Sequence, residues 1–177
     1  MLLPGQELQP FPVEQACAQT SLLGTVVDTR SILTSWFPQG FTNHGGAYIA
    51  AAWRGIPNQA IFVEQPLELI AELVRRLEFP AMPSRLQSLF ACRSLSEAQA
   101  FRSQARAPHA KIFEVDSEVS FVGDMQLIHM GSSPASCLEL VRKYWRGEAS
   151  GSPTFEVLLS CPVRVLAVAD AGTPPAT

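Results

Sequence analysis

The chain has 177 residues, of which 47% are hydrophobic and 16% charged, and its formal net charge at neutral pH is −3. This length and composition predict one globular domain with a sizeable core and exclude an intrinsically disordered chain. The small negative charge provides no general attraction to nucleic acid or to an anionic membrane. The sequence has no apolar stretch of membrane-spanning length and no basic segment followed by an apolar run. We therefore expect a cytoplasmic protein without a membrane partner, and export by a route that needs no classical signal is compatible with the sequence.

The N-terminal third of the chain carries weak and mixed signals for secondary structure. Pro4, Pro10 and Pro12 favour an extended lead-in, and Gly24 is a typical helix terminator. The elements expected there are, in chain order, an extended segment over 1–12, a helix over 13–23, a helix or a strand over 25–36, a loop over 37–46, a short helix over 47–53, a turn over 55–58 and a strand over 60–64.

The clearest helix of the sequence is predicted over 66–79. Pro66 suits its first position, and the proline after Phe79 ends it. Apolar residues recur there at steps of three and four, which predicts an inward face of Leu67, Ile70, Val74 and Leu77. The charged residues between them are expected to face outward: Glu68, Glu72, Arg75, Arg76 and Glu78.

The C-terminal half has sharper boundaries. Ser94 and Glu97 have the spacing of a capping box, and Ser133 followed by Pro134 marks another helix start. The elements expected are a strand over 86–91, a helix over 95–106 with Ala98, Phe101 and Ala105 inward, a strand over 111–115 that continues over 119–121, a weaker element over 124–130, a helix over 133–146, and strands over 155–161 and 163–168. On the helix over 133–146, Cys137, Val141 and Tyr144 are expected to share one apolar face. A single domain over 1–170 is then followed by a disordered tail over 171–177.

Several familiar catalytic and binding motifs are missing from the sequence. His44, His109 and His129 lie far apart without the spacing of metal ligands, so no metal is expected. There is no GxSxG motif and no Walker-type phosphate loop. The four cysteines are too far apart for a CxxC motif and are expected to be small buried residues: Cys17, Cys92, Cys137 and Cys161.

Three polar residues are noteworthy for their positions. Glu156 lies between large apolar residues on a predicted strand, so it is expected at a rim, in an ion pair or in a site. Arg85 precedes a strand, where it caps the strand edge, pairs with Glu78 or binds a phosphate through its planar guanidinium. His44 lies in a glycine-rich segment with Tyr48, which either lines a pocket or forms a tight turn.

Several blocks of the sequence, taken in order, resemble the ADP-ribosyltransferase-like superfamily, in particular a bacterial branch of it. The blocks are FPAMPSR at 79–85, the strand and helix over 86–101, KIFEV at 111–115, KYWRG at 143–147, FEVLL at 155–159 and PVRV at 162–165. Their order matches the superfamily, with a strand followed by a helix in the middle and a glutamate-bearing strand near the end.

The resemblance implies an α+β fold with a split, mixed β-sheet, flanking helices and NAD bound in a cleft as substrate. Glu156 would then be the catalytic carboxylate, which stabilises the cation-like ribosyl centre as nicotinamide departs. Ser88 and Phe90 would lie against the nicotinamide, and Arg85 or His44 would contact ribose or phosphate. The acceptor of the ADP-ribose group would be a protein or nucleic-acid target, or it would be water. The resemblance implies no metal.

Two positions depart from the superfamily pattern. The usual first strand carries an Arg or His that anchors NAD, whereas this chain begins MLLPG. Phe90 stands where a tyrosine is usual, and it can stack but cannot form a hydrogen bond. A second hypothesis is therefore a non-catalytic effector or adaptor on the same fold. A third is binding of a nucleic acid or nucleotide without transfer, because six arginines lie between positions 75 and 106.

Overall fold

In a computed structural model of the chain, the structure describes residues 2–13, 19–22, 25–50 and 59–172. These residues contain eight strands, five α-helices and a short 3₁₀ helix over Met125–Leu127. The strands are β1 (Glu7–Leu8), β2 (Gln19–Leu22), β3 (Thr25–Asp28), β4 (Ser88–Ala91), β5 (Ile112–Asp116), β6 (Ser120–Asp124), β7 (Phe155–Ser160) and β8 (Val163–Asp170). The helices are α1 (Thr29–Trp36), α2 (Asn43–Ala50), α3 (Gln59–Glu78), α4 (Leu95–Gln104) and α5 (Pro134–Trp145). The α+β class is confirmed. None of the described helices is both long and apolar enough to cross a membrane.

The longer strands form two small sheets, one ordered β4-β7-β6 and the other β1-β8-β5. Strands β2 and β3 form a separate pair. Every described pairing between these strands is antiparallel, so the expected mixed sheet is wrong for this part of the chain. The sequence pattern of a short strand does not specify the direction of its partner, which is decided by the connections between strands.

The main core lies where α3 and α5 pack together against β7. Leu67, Ala71 and Val74 of α3 are buried with Val141 and Trp145 of α5. The indole Nε1 of Trp145 also donates a hydrogen bond of 3.0 Å to the carbonyl oxygen of Ala71. This polar bond between the two helices fixes their relative position beneath the sheet.

A second, smaller cluster holds the N-terminal segments against the chain before β4. It consists of Val13, Phe37, Phe41 and Leu86. The rings of Phe37 and Phe41 lie 4.8 Å apart between centroids. The cluster brings α2 next to the residues that precede β4.

Several boundaries predicted from local signals are confirmed. Ser94 caps α4 by accepting the backbone N–H of Glu97, but the Glu97 carboxylate receives the N–H of Arg93 rather than that of the cap itself. Ser133 caps α5 in a complete capping box with Ser136. The predicted strands near 86–91, 111–115, 119–121, 155–161 and 163–168 are all present with small shifts at their ends.

The N-terminal predictions are confirmed in part. The segment 25–36, expected as a helix or a strand, forms both β3 and α1, and the expected loop is present over 37–42. Residues 19–22 form β2 rather than the end of a helix, because they pair with the β-branched residues of β3. Helix α2 begins at Asn43, inside the expected loop. Helix α3 begins at Gln59, so the expected strand over 60–64 is helical and Pro66 lies inside the helix. The predicted turn over 55–58, the end of the predicted helix over 47–53 and the tail beyond 172 lie outside the described residues.

The predicted helix faces also need correction. Leu77 is 81% exposed, whereas Glu68 and Glu72 are 5% and 1% exposed. Phe101, expected to face inward on α4, is exposed as well. The predicted inward face is confirmed for Leu67 and Val74, and Ile70 packs against the same core. The outward placement of Glu68 and Glu72 is wrong because their arginine partners allow their burial.

The cysteine prediction is confirmed only in part. Cys137 is buried, whereas Cys92 and Cys161 are partly exposed. Cys17 lies outside the described residues.

Candidate functional site

A cleft of about 800 Å³ lies between α2, α3, β4, α4 and the start of β7. Pockets that bind small molecules typically measure about 300–1,000 Å³, so this cleft has the size of a ligand site. All five residues selected from the sequence line it: His44, Arg85, Ser88, Phe90 and Glu156. The fold therefore brings together residues that are up to 112 positions apart, counting from 44 to 156.

Arg85 reaches the cleft on a loop that α3 holds in place. The buried carboxylate of Glu72 accepts hydrogen bonds from Arg75 at 2.8 and 3.0 Å, from Arg76 at 2.7 Å and from the Ser84 hydroxyl at 2.9 Å. Arg75 also donates a hydrogen bond of 3.0 Å to the backbone carbonyl of Met82 in that loop. The backbone that leads to Arg85 is therefore held against α3 independently of the contacts that the Arg85 side chain makes.

The Arg85 guanidinium is 5% exposed and bridges two carboxylates. Its Nε and Nη2 donate to the two oxygens of Glu68 at 2.9 and 2.8 Å, which is the bidentate arrangement that arginine favours. Its Nη1 donates to Oε1 of Glu156 and, at 2.8 Å, to the hydroxyl of Tyr144. Arg85 does not pair with Glu78, which instead pairs with Arg142 of α5.

These contacts determine the charge states of Glu68 and Arg85. Burial disfavours the ionised form of Glu68, but Arg85 and His44 outweigh it and lower the pKa of Glu68 to about 2. Burial likewise disfavours the charged guanidinium, yet the neighbouring carboxylates keep the pKa of Arg85 well above its ordinary value. Glu68 and Arg85 therefore form an ion pair at neutral pH.

Glu156 is buried at the start of β7, in register with Gly123 of β6. Oε1 accepts from Arg85 and, at 2.7 Å, from the hydroxyl of Tyr144. No hydrogen bond between described residues falls on Oε2. Burial, followed by the negative charge of Glu156, raises the pKa of Tyr144, so the phenol stays protonated and remains a donor.

An aromatic wall lies beside the ion pairs, and the guanidinium carbon of Arg85 is 5.0 Å from the ring centroid of Phe90. The imidazole of His44 lies 4.3 Å from the ring of Phe90 and 4.7 Å from the ring of Tyr48, measured between centroids. Its Nε2 lies 3.2 Å from Oε1 of Glu68, but the two atoms are not aligned as a hydrogen bond. A flat ligand group fits against such a wall.

Ser88 and Thr42 are both buried in the cleft lining, and of the two only the Ser88 hydroxyl lacks a hydrogen-bond partner among the described residues. The side chain of Ser88 is 1% exposed. Buried hydroxyls are usually paired, since leaving one unpaired costs free energy. An unpaired Oγ in the wall of a ligand-sized cleft indicates a place for a polar atom of a ligand.

Gly45 allows α2 to approach the chain that carries Arg85 and Ser88. A Cβ atom at Gly45 would overlap the backbone carbonyl of Leu86, whereas a Cβ at Gly46 would meet open space. The hydroxyl and N–H of Thr42 donate to the same carbonyl, at 3.4 and 3.2 Å. The close approach places His44 against Phe90.

The two glycines make a matched pair of substitutions. We expect Gly45→Ala to lower the free energy of unfolding by about 1–3 kcal/mol, because the backbone must move to admit the methyl group. Gly46→Ala should be neutral or stabilising by up to about 1 kcal/mol, because alanine favours a helix. Urea denaturation of both variants measures the difference, and equal effects would show that the contact with Leu86 is not needed.

The sequence model of a protein family matches residues 53–171 of the chain. That family is DUF2441, described as a protein of unknown function. The chain belongs to the DUF2441 family. The DUF2441 match includes Arg85, Tyr144 and Glu156, whereas His44 and Tyr48 precede it. A search of curated proteins finds no match to the chain.

Sequence reasoning missed two members of the site in this DUF2441 chain. Glu68 was placed on the outward face of its helix, and no local signal contradicts that placement. Tyr144 was assigned to the apolar face of α5, which is correct for its ring but does not describe its hydroxyl. Tyr144 lies in the KYWRG block that contributed to the resemblance, and that block is the part of the sequence from which a role of Tyr144 in the site could have been predicted.

The arginines between positions 75 and 106 do not form an open basic surface. Arg75 and Arg76 pair with Glu72, and Arg85 is buried between carboxylates. Arg93 pairs with Glu97 of α4, and Arg102 pairs with Asp170 of β8. These contacts weigh against nucleic-acid binding through this segment. Among the described residues, no group of three or more His, Cys, Asp or Glu is arranged to hold a metal ion.

Proposed function

We propose that this DUF2441 protein is an ADP-ribosyltransferase-like enzyme that takes NAD as its substrate. It would transfer ADP-ribose to a protein or nucleic-acid target, or to water. The observation that carries the proposal is the convergence, in one ligand-sized cleft, of a buried carboxylate, an aromatic wall and an unpaired hydroxyl. These are Glu156, the rings of His44 and Phe90, and Ser88.

We also propose the ADP-ribosyltransferase-like fold for the chain. The glutamate-bearing strand β7 is the central strand of one sheet, and the strand that follows it, β8, is the central strand of the other. This arrangement supports a sheet that is split at the point where the glutamate strand ends.

The reaction breaks the bond between C1′ of the ribose and the nicotinamide nitrogen. The bonding electron pair leaves with nicotinamide, which departs neutral, and positive charge develops on the ribosyl group. The fixed carboxylate of Glu156 stabilises that charge. A nucleophile then forms a new bond to C1′ and releases its proton to solvent.

The cleft residues suit the separate parts of NAD. Phe90 and His44 offer faces on which the nicotinamide ring stacks, and Ser88 Oγ offers a hydrogen bond to a polar substituent. The exposed guanidinium of Arg93, which lies 4.2 Å above the ring of Phe155, is better suited to the diphosphate than the buried Arg85.

The alternative of a non-catalytic adaptor receives less support from the cleft. An adaptor needs an exposed surface for its partner and no polar cluster inside a ligand-sized cleft. Here Arg85 and Glu156 are in direct contact at the cleft wall, and burying such a cluster is costly. A retained binding function explains that cost.

The test is calorimetric titration of the full chain with NAD, together with an assay of nicotinamide release. We expect NAD binding, with Ser88→Ala weakening it by about 3- to 10-fold, the value of one lost hydrogen bond. Thermal stability of this variant should not fall, because Ser88 Oγ has no described partner to lose.

Ser132→Ala is the control, since Ser132 is exposed and does not line the cleft. It should leave NAD affinity unchanged. Absence of both NAD binding and nicotinamide release, also in the presence of cell extract as a source of target, would refute the proposed function.

A further inference from the structure

We infer that Tyr144 and Arg85 are positioning residues that hold the carboxylate of Glu156 in one orientation. Both donate to Oε1, which leaves Oε2 for the substrate. The inference rests on the proposed function for its catalytic meaning, but the geometry that carries it does not depend on NAD.

The terminal torsion of a glutamate side chain is soft, so a carboxylate with weak contacts samples a broad range of orientations. Two donors on one oxygen restrict that torsion. One donor, Arg85, lies in the loop before β4, and the other, Tyr144, lies on α5. A carboxylate held in this way presents its second oxygen at a fixed place.

The first donor is itself immobilised. Nε and Nη2 of Arg85 are both bound to Glu68, and the guanidinium is planar, so the direction of Nη1 is set by that pairing. Glu68 therefore acts on Glu156 through Arg85. This gives Arg85 a role different from the ribose or phosphate contact that the resemblance implied, because its donors are directed to protein carboxylates.

The second donor is held by packing. The ring of Tyr144 meets the rings of Phe121 and Trp145 edge to face, at centroid distances of 5.4 and 4.8 Å. The ring occupies the space that a Cβ atom would take at Gly123, the residue paired with Glu156 across the sheet. The position of the phenol is thus fixed by three neighbours.

Tyr144→Phe tests the inference, because it removes the donor and keeps the ring. Arg85 variants are less suitable, since they leave two buried carboxylates without their partner and destabilise the fold. We expect Tyr144→Phe to lower kcat for nicotinamide release by about 10- to 100-fold, the value of one hydrogen bond made to a charged group, with KM changed less than twofold.

Ser133→Ala is the control on the same helix. It loses the capping hydrogen bond at the start of α5, so its melting temperature should fall, but it lies 11 positions before Tyr144, at the opposite end of the helix. We expect its kcat to match the wild type. An equal kcat loss in both variants would overturn the positioning role of Tyr144.

Crystal structures of the wild type and of Tyr144→Phe give a second readout that does not require turnover. We expect one orientation of the Glu156 carboxylate in the wild type and at least two in the variant. A single, unchanged orientation in the variant would refute the inference. If the wild type releases no nicotinamide, the proposed function fails, and this comparison alone decides whether Tyr144 orients Glu156.

Discussion

Replacing Arg85 with methionine is expected to lower the free energy of unfolding by about 3–5 kcal/mol. Arg85 is buried between Glu68 and Glu156, and methionine fills a similar volume without a charge or a donor. The substitution leaves two carboxylates in a dry environment without their shared partner. Leaving such groups uncompensated costs far more than the intact ion pair contributes.

Chemical denaturation at neutral pH measures this loss, and Arg142→Met is its control. Arg142 makes an equally complete ion pair with Glu78, but both side chains are exposed, so its removal should change stability much less. Adding Glu68→Gln to Arg85→Met should recover part of the loss, because one of the two stranded charges is removed. Similar losses for the two arginine variants would show that burial of Arg85 does not govern stability.

Glu156→Gln is expected to lower the rate of nicotinamide release by about 10²- to 10³-fold, the usual effect of removing one charge-stabilising group from a catalytic site. The amide is neutral and cannot stabilise a developing cation in the way that a carboxylate does. Its carbonyl oxygen can still accept from Arg85 and Tyr144, so the melting temperature should remain close to that of the wild type. Both quantities are measured on the same preparation.

Glu114→Gln serves as the control for this variant. Glu114 is an exposed acid on β5 and does not line the cleft. It should retain full activity and stability. A large loss of stability in Glu156→Gln without a loss of nicotinamide release would identify Glu156 as a structural acid and would contradict the assigned role.

The parts of the fold that were predicted correctly depend on neighbouring residues in the sequence. Ser94 and Ser133 mark helix starts because their hydroxyls bond to N–H groups three residues later. The pattern of α5 likewise identified Val141 as buried. Local signals were sufficient wherever the deciding contact was local.

The burial of Glu68 could not be predicted in that way. Its partner Arg85 is 17 residues away, and only the fold shows that the loop after α3 returns to the same helix. Without that contact, a glutamate between outward-facing residues is correctly expected to be solvated. The expected strand over 60–64 failed for a related reason, because a short apolar run fits a buried helix as well as a strand.

The candidate site was predicted as a set of residues but not as a geometry. The resemblance selected Ser88, Phe90 and Glu156, and these residues line one cleft with His44. It did not indicate that Arg85 would be bound by protein carboxylates. Hydrogen-bond partners 59 to 71 positions apart, such as those of Arg85, depend on tertiary structure alone.

The bridge formed by Arg85 has a consequence for the electrostatic field in the cleft. Two carboxylates, Glu68 and Glu156, surround one guanidinium, so the cluster carries a formal surplus of one negative charge. That surplus is unfavourable in a partly dry site until a cation approaches. The nicotinamide ring of NAD is cationic before its bond to ribose breaks, and the positive charge then passes to the ribosyl group. In the proposed function, the surplus would therefore offset a positive charge on the substrate throughout the cleavage step.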